Sequence, residues 1–373
     1  MDKIKVLHIF SSYGGGISSL ILNLIENKTS EFVFDTLAFS YLNGDEFVSR
    51  LNKCGTKCYT MPRPRVDGYK TYYTYLEDLF KREKYDAIHC HIIGWRFRTI
   101  QKIAKKCGIN TFILHAHTTH NDSKIDAIPI VNRLNHIINY KYSTAYMTCS
   151  DMAAEYIYGV KYLKKRNAVL IPNGVKKEIF SESITQNEID QYIQEFNLSG
   201  QEKVILHVGR FNEQKNHKFI VNIIEASVGM GMIFLLVGEG VLTESIKEMI
   251  EERGLTEITR FLGRRSDISK LMQFSNCMIL PSLYEGLPTV AIESQAAGTP
   301  ILLADTITKQ SDLKIGLAEF LSISDAEMWS NKILKICNKK QELTSAIKQV
   351  ECRGFTAQAA GEAYCSQLKK IIG

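Results

Sequence analysis

Residues 4–10, IKVLHIF, form a mostly apolar run without the strict alternation of a half-buried strand. A strand of this kind has to be covered on both faces, which is the condition of a strand inside a parallel sheet. Similar runs recur at residues 34–39, 87–91, 111–115 and 145–149, and helical periodicity fills the gaps, as over 76–84 and 99–106. Parallel neighbours need long crossovers, usually helical, so strand–helix alternation predicts a sheet with helices on both faces. The first turn, Ser11 to Gly16, leads into a helical stretch over residues 17–26.

The pattern then stops and restarts. Leu170-Ile171 runs into Pro172-Asn173-Gly174, a turn signal, and a polar segment continues to about Lys203. Beyond it, residues 204–208, 233–237, 261–262, 277–280 and 301–303 read as five more strands. At 373 residues the chain has the length of two domains. The expectation is a pair of doubly wound α/β domains, 1–172 and 173–355. Their ligand cleft would lie where the strand C-termini of both face each other. No run of 18 apolar residues exists, and the N-terminus enters a strand at once, so neither a membrane-spanning helix nor a signal peptide is expected. The nine cysteines are scattered, and the closest pair, Cys54 and Cys58, has no second pair to complete a zinc spacing. Reduced thiols in a cytoplasmic protein follow.

Two stretches carry chemistry. In LYEGLPTVAIESQAAGTP, residues 283–300, a loop should run to Gly286, Pro288 should sit in the first turn of a helix, and Gly298 and Pro300 should stop it. Glu285 then lies just before the helix N-terminus, and Glu293 sits on the helix about 7–8 Å further along. The free amides of Gly286, Leu287 and the first turn suit a phosphate. Two carboxylates would repel that phosphate, so they must hold groups on either side of it, and hydroxyl pairs fit. A nucleoside diphosphate sugar has this order: sugar hydroxyls, diphosphate, ribose diol. Two surface charges are the plainer alternative, but Ala291, Ile292, Ala296 and Ala297 flank Glu293. In HVGRFNEQKNHKFI, Arg210 follows a strand directly and Lys215 comes five residues later. A planar fork and a mobile point charge complement each other on a diphosphate.

From VGRF…QKNH through VGEG and FLGRRSDISKLM to LPSLYEGLPTVAIESQAAGTPIL, the second half resembles the family 4 glycosyltransferases. Glu285 to Glu293 matches that family's Glu-x7-Glu signature. In the first half, VLHIFSSYGGGISSLILNLI, YDAIHCH, ILHAHTTHND and VLIPNGVKKEIF fall in the family's order, so the likeness spans nearly the whole chain. The nearest subgroup is the EpsF-like one of bacterial exopolysaccharide and capsule synthesis. The resemblance implies a GT-B architecture, two Rossmann-like parallel-sheet domains facing across a cleft, with a C-terminal helix, 356–373, packing back on the first. It implies retention at the anomeric carbon. Arg210 and Lys215 would meet the donor diphosphate, Glu285 the transferred sugar, Gly286 and Leu287 phosphate and sugar through their amides, and Glu293 the ribose. Gly263 and Arg264 would line the base slot. Gly15 and Gly16 would let the backbone approach the reaction centre, though a plain strand–helix turn explains them equally. One histidine near the transferred sugar is usual, and His117, past the strand tip, is the choice; His115, His89 and His91 read as structural, and His120 follows shortly after.

No Asp-x-Asp occurs, which argues against a metal-bridged diphosphate, so no metal or other cofactor is expected. The donor would be a nucleotide sugar, first of all a UDP-sugar, and the acceptor a glycan or a polyprenyl-linked lipid. Up to Pro172 there are 24 Lys and Arg against 15 Asp and Glu, and beyond it 22 against 25. This basic first half suits an anionic partner, as does YKTYYTYLEDLFKREKY, residues 69–85, with five tyrosines among basic residues. Peripheral contact with a membrane's inner face competes here with an ordinary amphipathic helix. Nucleic acid is not expected, for want of a recognised module. Rival readings are a catalytically silent binding subunit and, more distantly, a phosphorylase or an epimerase on the same fold.

Overall fold

The structure is a computed structural model that describes residues 3–13, 16–41, 45–119, 128–180 and 182–373. It divides into two compact units, Met1–Gly174 with Ala357–Gly373, and Val175–Thr356. In the first unit, strands β1 (Ile4–Tyr13), β2 (Phe32–Tyr41), β3 (Cys58–Thr60), β4 (Ala87–Cys90), β5 (Thr111–Ala116), β6 (Ala145–Thr148) and β7 (Val169–Leu170) form one sheet. Its order is β3-β2-β1-β4-β5-β6-β7, with every pairing parallel. In the second, β8 (Lys203–Val208), β9 (Met232–Val237), β10 (Thr259–Gly263), β11 (Cys277–Leu280), β12 (Ile301–Ala304) and β13 (Ala318–Leu321) form another. Its order is β10-β9-β8-β11-β12-β13, again all parallel.

The apolar runs are explained by what covers them. Val204 and Leu206 of β8 pack into one apolar cluster and Ile205, between them, into another, so both faces of the sheet are core. The same split separates Leu235 from Phe234 and Leu236 on β9. Fully burying side chains of this size contributes about 1.5–3 kcal/mol each. Each sheet also reverses its winding once, between β1 and β4 and between β8 and β11. Crevices at such switch points, outside the strand C-termini, are where open α/β sheets take ligands.

The helix Ala357–Ile372 belongs to the first unit, where Ala360, Tyr364, Cys365 and Leu368 join a core with Leu20, Ile21 and Leu24 of the helix Gly16–Glu26. A Cβ on Gly361 would lie 2.6 Å from Asn27 Cβ, so the two backbones nearly touch there.

Several elements are longer than their apolar runs. β1 continues to Tyr13, because Ser12 and Tyr13 pair with Ser40 and Tyr41 of β2 and the Tyr13 ring is fully buried. The helices begin at Tyr69 and Gly94, before the expected residues 76 and 99. Strands β3 and β13 lack the long apolar run of the central strands and emerge only as partners of β2 and β12. No helix among the described residues is long and apolar enough to cross a membrane.

Candidate active site

In the second unit, the loops after β8, β9 and β10 lie side by side. Gly209 N donates to Val237 O at 3.0 Å, Phe211 N to Glu239 O at 3.1 Å, and Gly238 N to Gly263 O at 2.8 Å. Only glycine permits this approach: a Cβ on Gly238, at φ 129°, would stand 2.0 Å from Gly209 O. Arg210, at the end of β8, is exposed and has no ion pair among the described residues. Arg264 is also exposed but is drawn into a 3.0 Å pair with Glu239, and Gly263, at φ 61°, turns the chain after β10.

The sharpest contact crosses the β8/β11 switch point. Lys215 Nζ lies 2.5 Å from Glu285 Oε1, and both side chains are largely buried, at 15 % and 9 % exposure. The first loop is held against the second by its backbone and amides. Leu283 N donates to Gln214 O at 2.8 Å, Gln214 Nε2 donates to Tyr284 O at 3.0 Å and to Glu285 Oε2 at 3.2 Å, and Asn216 Nδ2 to Pro281 O at 3.1 Å. Asn212 Oδ1 accepts from Lys215 N at 3.3 Å and Asn216 adopts a left-handed φ of 57°, so this tight turn aims the lysine. Gln214 and Asn212 were missed in the sequence, where nothing but their places in NEQKN marks them.

The helix Thr289–Ala296 follows, with Pro288 as its N-cap rather than in its first turn. Gly286 and Leu287 are buried in the preceding loop. Gly298, at φ 72°, ends the segment, and a Cβ there would meet Gln341 O at 2.3 Å. Ala291, Ile292, Ser294, Gln295 and Ala296 are buried, while Thr289, Val290 and Glu293 are partly exposed. Its carboxyl has no ion pair or side-chain hydrogen bond among the described residues, and burial pushes it up to about 7. Glu285 and Lys215 are thus brought together, while Glu293 stands without a partner.

In the first unit, Gly15 lies outside the described residues, as does His120. Gly16 starts its helix with no atom of the described residues within 4 Å of the place a Cβ would occupy, so those residues do not demand glycine there. His117, past the end of β5, is half-buried, and His91 Nδ1 lies 2.6 Å from its Nε2. His115 is buried and bonds His89 through Nδ1, and its Nε2 has no hydrogen-bond partner among the described residues. Two triads, His8–His89–His91 and His91–His115–His117, have ring nitrogens within 4.8 Å of one another, close enough to hold a metal ion. Yet in the second triad His91 Nδ1 and His117 Nε2 are 2.6 Å apart, a hydrogen bond's distance, whereas two ligands each about 2.0–2.1 Å from a tetrahedral zinc stand further apart; in the first, His8 Nδ1 and His91 Nε2 are at 3.2 Å. A cavity of about 590 Å3 opens beside β1, with Arg63, Arg65, Tyr69, Tyr72, Trp95 and Arg96 in its lining. Of the tyrosines in the basic stretch, Tyr72 and Tyr85 are core while Tyr69 and Tyr73 are exposed.

Residues 188–351, inside the second unit, match the family of glycosyl transferases group 1. EpsF of Bacillus subtilis (strain 168), assigned to the glycosyltransferases, is 27% identical over 366 residues, 95% of this chain and 93% of that one. The UDP-Gal:alpha-D-GlcNAc-diphosphoundecaprenol alpha-1,3-galactosyltransferase of Escherichia coli is 26% identical over 276 residues, 71% of this chain and 70% of that protein. The crystal structure of Anabaena HepE in complex with UDP superposes with a TM-score of 0.79 at 15% identity, covering 98% of this chain and 100% of that one. Two parallel α/β units, the match of residues 188–351 around the Lys215–Glu285 loops to the group 1 glycosyl transferases, and these relatives together support a glycosyltransferase of the GT-B fold.

Proposed function

We propose that this transferase moves a sugar from a UDP-sugar, with retention and without a metal, to a polyprenyl-linked or glycan acceptor during synthesis of a bacterial surface polysaccharide. The observation that carries the donor half is the Lys215–Glu285 pair at the β8/β11 switch point. An ammonium has three donors, so Lys215 can keep Glu285 and still reach a diphosphate oxygen. Arg210, with no acid partner among the described residues, supplies the second cation, and both offset the charge that grows on the leaving diphosphate. Glu285 accepts from hydroxyls of the transferred sugar, Glu293 from the ribose diol, and the Gly263–Arg264 turn flanks the base. With two side-chain cations available and no Asp-x-Asp, the diphosphate needs no bridging metal, so a chelator should leave turnover unchanged.

On the acceptor side, the cavity with three arginines and Tyr69 and Trp95 suits an anionic headgroup on an apolar carrier. The Escherichia coli relative, by its name, acts on a diphosphoundecaprenol-linked sugar. The basic first unit would then work at the inner membrane face, where anionic lipids attract Lys and Arg. His117 serves the transferred sugar.

Thermal shifts with UDP-, GDP- and ADP-sugars test the donor, and transfer assays on wild type and Glu285→Ala test the chemistry. The variant should fold and lose at least 100-fold in turnover. Undiminished transfer would remove Glu285 from the reaction, and stabilisation by no nucleotide sugar would favour a silent subunit.

A further inference from the structure

His8, His89, His91, His115 and His117 fall on one face of the first sheet, because β1, β4 and β5 are adjacent and the paired positions of each H-x-H are two residues apart. Tyr364, from the C-terminal helix, joins them. Their polar atoms form an unbroken row: His115 Nδ1 to His89 Nε2 at 3.2 Å, His89 Nδ1 to Tyr364 Oη at 2.6 Å, Tyr364 Oη to His8 Nε2 at 3.3 Å, His8 Nδ1 to His91 Nε2 at 3.2 Å, and His91 Nδ1 to His117 Nε2 at 2.6 Å. The ring planes of the bonded histidine pairs are 1° to 26° apart, and their centroids stand further apart than their nitrogens by about two ring radii. The rings therefore meet edge to edge, as N–H···N bonds require.

Burial holds all five rings neutral: His8 and His117 are pushed down to about 3, and His89, His91 and His115 well below their ordinary value. Each neutral imidazole carries one N–H, and the phenol carries one O–H. Six protons thus serve five bonds, and one N–H is left over at an end. Each interior imidazole must donate on one side and accept on the other, and the phenol could accept on both sides only by leaving its own buried O–H without an acceptor, so a row that uses the phenol proton runs in one of two directions. In one, the surplus proton sits on His115 Nε2, which is buried without a partner. In the other it sits on Nδ1 of the half-buried His117, and His115 Nε2 keeps only a lone pair. A buried orphan N–H is the rarer and costlier state.

We propose that His8, His89, His91 and Tyr364 are positioning residues that fix His117 as its Nδ1–H tautomer. Its Nε2 is filled by His91, so His117 meets substrate as a hydrogen-bond donor and not as a base. This rests on the reading above that His117 serves the transferred sugar. A sugar hydroxyl or ring oxygen is the matching acceptor. The C-terminal helix, by lending Tyr364, closes the row at its centre.

The test uses the full chain with 15N-labelled histidine, reading tautomers from long-range 1H–15N correlations, with single substitutions for assignment. All five rings should be Nδ1–H; a His117 found as Nε2–H overturns the proposal from the wild-type spectrum alone. His91→Phe keeps a ring in the core and removes the group that fills His117 Nε2. It should release His117 towards the Nε2–H form that a free imidazole prefers and lower kcat about 3–10-fold with KM for the nucleotide sugar unchanged. A merely structural His91 would leave His117's tautomer and kcat where they were, and that result also overturns the proposal. Five Nδ1–H rings in a protein inactive with every nucleotide sugar would instead sink the transferase reading and leave the row standing.

Discussion

At Glu293, burial and the lack of a partner push the carboxyl up to about 7 from 4.5, so the folded protein holds a proton that the unfolded chain releases. Between these values the native state binds more protons than the unfolded one, and stability falls as pH rises through that window. Glu293→Gln removes the titration. Its advantage in urea midpoint over wild type should therefore be larger at pH 8 than at pH 5; equal differences at both would mean that the carboxyl is not desolvated. The same variant should bind the nucleotide sugar at least 10-fold more weakly, since hydrogen bonds to a charged group contribute about 1.5–3 kcal/mol. Lys215 and Glu285 differ from Glu293 in already having each other. Their spacing to the strands was readable, as Arg210 and Glu285 sit on loops, Lys215 in the turn after β8 and Glu293 within the helix Thr289–Ala296. Their direct contact was not readable, because it joins residues 70 apart.

Loops after neighbouring strands are held by close backbone approach, and the glycines there are not alike. Gly238→Ala would force a Cβ against Gly209 O, 2.0 Å away, at a φ that alanine rarely adopts. Expected are a loss of about 1–3 kcal/mol in stability and a weaker nucleotide-sugar affinity, because the loop carrying Arg210 must move. Gly16→Ala meets no atom of the described residues within 4 Å and starts a helix at ordinary φ, so thermal stability should hold or rise slightly. If that variant still loses transfer activity, the glycine is kept for the reaction and not for the fold; a destabilised Gly16→Ala would contradict the open space around it. Element ends were the least readable part of the sequence. β1 extends through Ser11 and Ser12 only because β2 lies beside it to pair with.

The chain's two ends meet in the first unit, where Tyr364 and Leu368 are fully buried against the first helix and strands. Removing residues 357–373 takes away several buried side chains, each contributing about 1.5–3 kcal/mol, from a domain whose margin is about 5–15 kcal/mol. The second unit keeps both of its own cores. Limited proteolysis of the truncated protein should therefore degrade the first unit and spare a fragment beginning near Val175. Equal resistance of both units would show that the terminal helix is dispensable to the first.

Local pattern decided the architecture: near-continuous apolar strands cannot be stable unless both faces are covered, and Pro172-Asn173-Gly174 breaks the series near the unit boundary at Gly174. It also decided the ends of the strands that bear Arg210, Lys215 and Glu285, since turn glycines and strand C-termini are short-range features. Partnership belonged to the tertiary structure. Whether Lys215 reaches Glu285, whether Glu293 stays alone, and whether five histidines and a tyrosine from residue 364 align depends on strand order and on a terminal helix. Hydrogen bonds and desolvation act between neighbours in space, and the strand order 1-4-5 that makes those neighbours is set by packing of the whole unit.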